Sequence, residues 1–437
     1  MPIIKDLNKA KEKIFEISNR FDLLKRKKEQ IVVDKIFDEV LKTGDKGLLK
    51  LTKKFDKVEL KNLKVSSEII NSSLKGISPP LLKSIKEALK RITKFQKANI
   101  QKTWIKTFDL GEKLGYKYTP LDSVGVYIPG GKIPLISTVL MTVIPAKVAG
   151  IKRIAVFTPP PVHEGILAAC KLLNVKEIYQ IGGAQAICAA AFGTKSIKPV
   201  DKIVGPGNIF VTLAKKKVYG KVGIDGLFGP SEIAIIADKT ANPEYLAMDL
   251  LSQLEHGSGL EAAFIVTNSE KLARDTEGYL FNFVQNLPNK KAVLSSWRRN
   301  SAIVVVKDLN KAAELINMLA PEHLEIITTN PHKLLNKIRH AGAIFLGEYS
   351  CESLGDYIAG PSHCLPTSGS ARFSSGLTVA DFMKKISVIS FNKKAFNNVA
   401  KDVIELACAE GLKAHGDAVR IRTEGVIARS KATKQSL

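Results

Sequence analysis

The sequence lacks the features that would place the chain in a membrane or in an oxidising compartment. Its apolar runs, such as VIPAKVAGIKRIAVF, are interrupted by lysine well short of the roughly 20 residues that a membrane-spanning helix needs. Its five cysteines are scattered, odd in number and form no Cys-x-x-Cys pair, which argues against a thiolate metal site. The first residues are polar and charged, so we expect no secretory signal and a reducing, cytoplasmic location.

Standard cofactor and hydrolase motifs are missing as well. The chain contains no Gly-x-Gly-x-x-Gly, no P-loop pattern with its Gly-Lys-Ser/Thr ending, and no His-Glu-x-x-His. These absences exclude the ordinary dinucleotide fingerprint, the P-loop and the zinc-protease helix. A nucleotide site or a metal site in this chain must therefore be built in another way.

Arginine is scarce beside lysine. The formal net charge is +24, yet only 12 of the 66 basic residues are arginine. A positive chain can bind nucleic acid through phosphate contacts, but arginine supplies the bidentate contacts that recognise bases and phosphates. Because the lysines are spread along the chain and are densest in its first hundred residues, a solvated surface is favoured and no nucleic-acid partner is expected.

The 437 residues are enough for about two to four domains. Two different sequence patterns divide the chain. Residues 1–100 have apolar residues at helical spacing, with one helix over 31–44 that Gly44 ends and another that begins at Pro79-Pro80. From about residue 120, short β-branched runs alternate with helical stretches, which predicts parallel strands joined by crossover helices. The runs are VGVYI, RIAVF, EIYQI, KIVG and EIAIIA, then AAFIV (262–266), SAIVVV (301–306), LEIIT (324–328) and AIFLG (343–347). The predicted fold class is α/β, doubly wound, with two sheets.

Glycine-rich stretches follow three of these runs: YIPGGK (127–132), IGGAQAI (181–187) and VGPGN (204–208). Glycine lets backbone approach a ligand closely or permits a positive φ in a tight turn. Ligands of doubly wound sheets gather at the carboxyl ends of the strands, where these stretches fall. Either a ligand site or simple strand-to-helix turns would explain these stretches.

A polar group stands near the end of the helix predicted for TANPEYLAMDLLSQLEHG (240–257). Asn242 caps it, Gly257 ends it, and Asp249, Gln253 and His256 share a face within about 60° of one another. Gln253 and His256 could bind one cation, with Asp249 orienting one of them. An ordinary helix end with a surface amide and imidazole explains the same pattern, so the pair alone decides nothing.

Further acid and imidazole pairs occur downstream. Glu322 and His323 stand before a strand-like run, where a carboxylate and an imidazole suit general acid–base work. Both would reach one substrate only from an irregular backbone, because neighbours on a strand point to opposite faces. The loop over 355–367 and the segment 405–419 supply the other pairs, which are Asp356 with His363 and Glu410 with His415.

These residues lie in strings that resemble the histidinol dehydrogenase family. The strings are YIPGGK…STVLMTVIPAKVAG, IGGAQAI…VDKIVGPGN, GPSEIAIIAD…ANPEYLAMDLLSQLEH, LAPEHLEI, AGAIFLGEYSCESLGDYIAGPSHCLPTSGSARFSSGLTVADFMKK and EGLKAHGDAV. The resemblance runs from about residue 20 to 422. It implies an NAD-dependent, four-electron oxidation of L-histidinol to L-histidine through an aldehyde, by a homodimer with one zinc per subunit.

The resemblance also implies roles for single residues. Zinc would be held by Gln253, His256, Asp356 and, from the other subunit, His415. The catalytic pair would be Glu322 and His323. Substrate contacts would come from Ser231, His363 and Glu410 together with Gln253, His256, His323, Asp356 and His415. NAD would meet Tyr127, Gln185 and Asn208.

The resemblance implies two incomplete Rossmann-like domains. We expect a helical arm over 1–22, a discontinuous α/β domain over 23–126 and 233–376, an inserted Rossmann-like domain over 127–232, a dimerisation segment over 377–422 and a disordered tail over 423–437. The sequence departs from the family pattern at Gly257, around Pro134, and at Ser362 and Cys364. Two other functions, a zinc hydrolase using Glu322 and a basic nucleic-acid-binding protein, explain fewer of the residues.

Overall fold

The structure is a computed structural model that describes residues 3–130 and 134–434, with side chains described as far as residue 423. The chain divides into two compact units. The first comprises residues 1–100 and 120–382, and the second comprises residues 101–119 and 383–437. Each unit is described below by itself.

Helices and strands alternate through most of the chain. The helices are α1 Leu7–Ser18, α2 Lys27–Thr43, α3 Asp45–Phe55, α4 Ser67–Ser72, α5 Pro79–Ala98, α6 Ile136–Ala149, α7 Glu164–Leu172, α8 Gly183–Phe192, α9 Ile209–Val218, α10 Pro243–Leu254, α11 Glu270–Val284, α12 Lys290–Asn300, α13 Leu309–Leu319, α14 Pro331–Leu335, α15 Glu352–Tyr357, α16 Lys393–Ala409 and α17 Lys413–Lys434. The strands are β1 Ile3–Ile4, β2 Trp104–Thr107, β3 Lys113–Pro120, β4 Ser123–Tyr127, β5 Arg153–Thr158, β6 Glu177–Gln180, β7 Lys202–Val204, β8 Gly223–Ile224, β9 Glu232–Ala237, β10 Ala262–Thr267, β11 Ala302–Val305, β12 His323–Ile327, β13 Ala343–Leu346 and β14 Met383–Ser390. All nine β-branched runs singled out in the sequence are strands.

A six-stranded parallel sheet forms the larger core of the first unit, in the order β1-β11-β10-β9-β12-β13. Residues of β9 alternate between its two faces, as the pleat of a strand requires. Ile233 and Ile235 pack with α10, α11 and α12, whereas Ala234 and Ile236 pack with α1 and α13. Because helices cover both faces, β9 and β10 are buried along their whole length and read as continuous apolar runs.

A five-stranded parallel sheet forms the second core of this unit, in the order β6-β5-β4-β7-β8. Apolar residues of α2 and α3 join those of α8 and α9 in the cluster on this sheet. The predicted fold class, α/β with two parallel sheets, is confirmed. Strand β4 of this sheet begins at Ser123, and α2 and α3 pack on the same sheet. The domain limits expected from the sequence stay a prediction.

The second unit contains a three-stranded sheet in the order β14-β3-β2, followed by α16 and α17. The strands β2 and β3 pair antiparallel, with Trp104 opposite Tyr116. The sequence did not predict these two strands. Helix α17 extends through much of the segment expected to be a disordered tail. The remainder of that expectation, residues 435–437, lies outside the described residues.

Helix ends follow the sequence signals closely. Ser78 caps α5 ahead of two prolines, Asn242 caps α10, and Gly44 follows α2 with a φ of 59°. Leu246, Leu250 and Leu254 of α10 are completely buried, as their spacing predicted. Within residues 3–130 and 134–434, no helix is both long enough and apolar enough to cross a membrane.

A buried ion pair fixes two loops at the carboxyl ends of β7 and β8. The ammonium group of Lys215 in α9 donates to the Asp225 carboxylate and, at 3.0 Å, to the Gly205 carbonyl oxygen. Asp225 in turn accepts from the backbone N–H groups of Gly205 and Gly226, at 2.6 and 2.8 Å. Gly205 has a φ of 111°, and a Cβ there would lie 2.1 Å from the Tyr127 carbonyl oxygen. The pair therefore pins the turn that leads to Asn208.

Removing one charge of this pair should destabilise the first unit more than removing both. We expect Lys215→Met to lower the free energy of unfolding by about 3–5 kcal/mol, because it leaves the Asp225 carboxylate buried and unpaired. The double variant Lys215→Met/Asp225→Asn should lose clearly less. Denaturant unfolding followed by circular dichroism measures both.

Lys217→Met is the matched control, since its pair with Asp34 is half exposed and should be worth roughly 1 kcal/mol or less. Equal losses in the single and double variants would contradict the role of the pair.

Candidate active site

Glu322 and His323 come together where the chain enters β12. Helix α13 ends at Leu319, Ala320 adopts a left-handed φ of 51°, and Pro321 precedes the pair. Glu322 therefore lies outside the regular strand, whose first residue is His323. This irregular entry lets the Glu322 carboxylate and His323 Nδ1 approach to 3.7 Å although neighbours on a strand diverge.

The backbone of a single residue, Glu232, orients both side chains. Its N–H donates to the Glu322 carboxylate at 2.9 Å, and its carbonyl oxygen lies 3.1 Å from His323 Nδ1. A carbonyl oxygen only accepts, so Nδ1 carries the ring proton and Nε2 keeps its lone pair. His323 Nε2 faces carboxylate oxygens of Glu352 and Asp356, each 3.8 Å away.

Burial sets the protonation of this pair. Burial lowers the pKa of His323, opposed by the negative charge of Glu352, so the imidazole is neutral near pH 7. Burial also raises the pKa of Glu322 well above its usual value, opposed by the hydrogen bond from the Glu232 N–H. A neutral imidazole with a free nitrogen beside a carboxylate of raised pKa is an arrangement suited to general base chemistry.

Gln253 brings a buried amide without partners to the same unit. It lies on α10 with 1% of its surface exposed, and neither its side-chain oxygen nor its nitrogen has a hydrogen-bond partner among the described residues. A buried amide without partners is unfavourable unless a ligand completes it. His256 lies just beyond the last helical residue, and its Nδ1 is 3.0 Å from the Gln253 carbonyl oxygen, which leaves Nε2 available. Gly257 follows with a φ of 82°, a conformation that favours glycine and accounts for this departure from the family pattern.

Asp356 lies on α15 between two imidazoles. Its carboxylate is 3.8 Å from His323 Nε2 and 3.7 Å from His363 Nδ1. Burial, with the nearby charge of Glu352, raises the pKa of Asp356 to about 9. A cation bound here would reverse that effect, because a positive charge favours the carboxylate.

Both ring nitrogens of His363 are engaged by the protein. Nδ1 lies 3.0 Å from the Asp356 carbonyl oxygen, and Nε2 lies 3.0 Å from the Thr138 hydroxyl on α6. Burial lowers the pKa of His363 to about 4, and the charges of His323 and His256 act in the same direction. The three imidazoles therefore belong to one electrostatic environment. A substrate contact by His363 would have to displace Thr138 or use the ring face.

Glu352 is a site residue that the sequence reasoning missed. One of its carboxylate oxygens lies within 4.8 Å of a ring nitrogen of His323 and of a carboxylate oxygen of Asp356, a spacing that suits a shared cation. The side chain is 2% exposed, one oxygen has no partner among the described residues, and the other accepts from Ser252. The sequence feature that could have identified Glu352 is its four-residue spacing to Asp356 on one short helix, inside a string already noted.

Asp249 has a different partner from the one proposed for it. Its carboxyl shares a hydrogen bond with Glu325 of β12, and burial raises the pKa of Asp249 to about 6. Glu325 also accepts from the backbone N–H of Glu352 at 2.8 Å. Asp249 thus belongs to a carboxylate cluster behind Glu352, in place of orienting Gln253 or His256.

A cavity of about 650 Å³ opens beside these groups. His323, Asp356 and His363 supply its polar wall, and the rest is mainly apolar, with Phe345 of β13 and Phe95 of α5. Ser231 lies next to Glu232 at the start of β9, partly buried. The first unit thus contains seven of the residues predicted for the zinc, catalytic and substrate site: Ser231, Gln253, His256, Glu322, His323, Asp356 and His363.

The three residues predicted to meet NAD lie at one edge of the five-stranded sheet. Tyr127 ends β4, and its hydroxyl accepts from the Gly183 N–H at 3.0 Å. Gln185 is buried in the first turn of α8, and the Asn208 side chain caps α9 by accepting from two backbone N–H groups. These side chains shape two helix N-termini, where phosphate groups bind favourably.

The remaining predicted residues lie in the second unit. Glu410 follows the last residue of α16 and His415 lies in the first turn of α17, and both are exposed. The departures at Ser362 and Cys364 are buried, with the Ser362 hydroxyl accepting from the Cys364 N–H. The departure around Pro134 lies between residues 131–133, which are outside the described residues, and the start of α6 at Ile136.

Comparisons with known proteins show the family of the chain. A sequence profile described as histidinol dehydrogenase matches residues 20–423. The histidinol dehydrogenase of Clostridium acetobutylicum is 46% identical over 391 residues, which cover 89% of this chain and 90% of that protein. The histidinol dehydrogenase of Gloeobacter violaceus is 44% identical over 97% of this chain and 96% of its own length.

A solved structure is similar in three dimensions. The crystal structure of histidinol dehydrogenase from Elizabethkingia anophelis has a TM-score of 0.88 at 39% sequence identity, covering 91% of this chain and 92% of that one. The profile match and the identities cover nearly the whole chain and include both parallel sheets. The chain therefore belongs to the histidinol dehydrogenase family of NAD-dependent oxidoreductases, which act on histidinol and histidinal.

Proposed function

We propose that this protein oxidises L-histidinol to L-histidine through histidinal, in a zinc-dependent, four-electron reaction that reduces two NAD and ends histidine biosynthesis. The observation that carries the proposal is the catalytic pair on the Glu232 backbone. It combines a buried neutral imidazole, whose free Nε2 faces the carboxylates of Glu352 and Asp356, with a carboxylate of raised pKa beside it.

The donor set of the first unit fits a zinc ion. Gln253 offers an orphaned buried amide, His256 an available Nε2 and Asp356 a carboxylate, which are the nitrogen and oxygen ligands that zinc accepts. We propose His415 of a second subunit as the fourth ligand. The ion would supply positive charge that orients the substrate and favours ionised Asp356. Exposure of Glu410 and His415 on their own unit agrees with a role across a homodimer.

In the first oxidation, His323 serves as the base. Its Nε2 takes the hydroxyl proton of histidinol while the carbon-bound hydride passes to NAD, which leaves the aldehyde and NADH. The resulting imidazolium is stabilised by Nδ1–H donation to the Glu232 carbonyl and by the carboxylates of Glu352 and Asp356.

In the second oxidation, Glu322 activates water. Its carboxylate takes one proton as the water oxygen adds to the aldehyde carbon, and the His323 imidazolium returns its proton to the former carbonyl oxygen, which gives the hydrated aldehyde and a neutral imidazole. A second hydride then passes to a second NAD while His323 takes a hydroxyl proton, and the carboxylic acid results. The Glu232 N–H keeps the Glu322 carboxylate aimed during both steps.

The cofactor side is proposed at the carboxyl edge of the five-stranded sheet, near Tyr127, Gln185 and Asn208. Their hydrogen bonds fix the N-termini of α8 and α9, which favour an anionic diphosphate. We place the enzyme in the cytoplasm, since its cysteines are all free. The hydrolase and nucleic-acid-binding alternatives account for the charge or the metal ligands, but not for the site as a whole.

The overall reaction is tested by its stoichiometry. Supplied with histidinol and NAD, the enzyme should form about two NADH for each histidinol consumed, because two hydrides leave one carbon. A chelator should abolish the activity and zinc should restore it. Absorbance at the NADH band with histidine quantified in parallel measures both. Absence of NADH would reject the proposal, and salt-sensitive DNA retention in its place would favour a nucleic-acid-binding protein.

The division of labour between the catalytic residues is tested by Glu322→Gln. The amide cannot accept a proton from water, so oxidation of histidinal should fall by roughly 10²- to 10⁴-fold. The first hydride transfer, from histidinol, should remain close to the wild-type rate in a single turnover. Stopped-flow NADH formation from each substrate separates the two steps. Equal losses in both would contradict the assignment.

The zinc role of Gln253 is tested with a near-isosteric variant, Gln253→Met. The variant removes an amide without partners, so the metal-free protein should be at least as stable as metal-free wild type. Added zinc should raise the melting temperature of the wild type and not that of the variant. Thermal unfolding with and without zinc, with metal content measured directly, decides it. Equal zinc stabilisation in both proteins would remove Gln253 from the ligand set.

A further inference from the structure

We propose that Arg20 and Glu232 form a positioning pair for the reaction, in which Arg20 holds the backbone that orients Glu322 and His323. The inference rests on the proposed roles of those two catalytic residues. Arg20 and Glu232 are separated by 212 positions in the sequence, yet the guanidinium donates to the Glu232 carboxylate at 2.6 Å. The two side chains are only 6% and 4% exposed.

Arg20 uses its remaining donors on three backbone carbonyl groups. It donates to Leu260 at 2.7 Å, to Ile17 at 2.9 Å and to Pro230 at 3.0 Å. Pro230 lies directly before Ser231 and Glu232. The guanidinium therefore holds the segment that leads into β9 through two contacts, the Pro230 carbonyl oxygen and the Glu232 carboxylate. A planar guanidinium with fixed donor directions suits such multiple contacts better than an ammonium group.

Glu232 transmits this anchoring to the site through its main chain. Its carboxylate is held on one oxygen by Arg20 and by the Ser368 N–H at 2.8 Å. The main chain of the same residue carries the N–H that aims Glu322 and the carbonyl that fixes the tautomer of His323. Any shift of Glu232 therefore misaims both catalytic side chains together.

The other oxygen of Glu232 has no partner within the described part of the chain, so this carboxylate depends strongly on Arg20. Without the guanidinium, a buried negative charge would remain unpaired beside the carboxylate of Glu322. Such a charge is strongly unfavourable, and the segment would move to reach water. The pair thus protects the geometry at β9 as well as its charge balance.

The test compares Arg20→Met, Arg20→Lys, Glu232→Gln and the double variant Arg20→Met/Glu232→Gln in the full-length, zinc-loaded enzyme. We expect Arg20→Met to lower kcat by about 10- to 100-fold for histidinol and for histidinal alike, since misplacement of about 1 Å costs that much. The KM for NAD should change by less than about 2-fold, because the cofactor residues lie on the other sheet. The double variant should regain most of the loss, and Arg20→Lys part of it.

Arg153→Met is the matched control. Arg153 makes a comparable set of bonds, to Glu177 and to the carbonyl groups of Lys198 and Pro199, at the amino end of β5. This variant should lower the melting temperature and leave kcat per folded enzyme within about 2-fold of wild type. The inference is overturned if Arg20→Met loses activity only in proportion to its folded fraction, as the control does.

The remaining outcomes separate failure of the positioning pair from failure of the proposed function. If Arg20→Met does not fold, Arg20→Lys and Glu232→Gln carry the test, and normal kcat in both overturns the inference. If Glu322→Gln loses only histidinal oxidation while the Arg20 variants stay fully active, the proposed function stands and the positioning pair fails. Wild-type enzyme without activity on histidinol would instead reject the proposed function itself.

Discussion

The site depends on the parallel pairing of β9 with β12. This register places His323 opposite Ile233 and so brings the preceding peptide of β9, that of Glu232, alongside the entry to β12. Backbone hydrogen-bonding groups are rigid and directional, so main-chain contacts fix the geometry of the Glu322 and His323 side chains. On the other side of β12, the Glu322 carbonyl accepts from Ala343, and a Cβ on Gly342 would lie 2.6 Å from that oxygen. The pair is thus fixed by strands on both sides.

The burial of carboxyl groups near the pairing of β9 with β12 is energetically unfavourable. Glu322, Glu325 and Glu352 are all buried, and burial raises the pKa values of Glu322 and Glu325 well above the usual range. The amide of Gln253 has no partner, although buried polar groups are nearly always satisfied in proteins. Natural chains depart from that rule mainly at functional sites. A cation and a substrate amine are the kinds of group that would relieve both features.

The two sheets carry chemically different groups. The six-stranded sheet carries titratable side chains where β9 and β12 begin. The five-stranded sheet carries neutral side chains and helix N-termini where β4, β6 and β7 end. Buried ion pairs occur in both, Arg20 with Glu232 and Lys215 with Asp225, and each holds a loop at the edge of its sheet. The loops are therefore anchored by side chains that do not themselves face the cavity.

The sequence by itself determined the strands of the two parallel sheets and several helix ends, and it indicated candidate site residues. Runs such as EIAIIA and LEIIT are strands because they are rich in apolar, β-branched residues that the sheet buries, and Asn242 and Gly44 mark helix limits through cap chemistry. Short strings around Gln253, Glu322 and Asp356 identified candidate residues, because each string is local. Tertiary structure alone decided the role of the Glu232 backbone, the anchoring by Arg20 and the place of Glu352. Those contacts join residues from 27 to 212 positions apart, and they exist only through strand register and loop path, which local pattern does not encode.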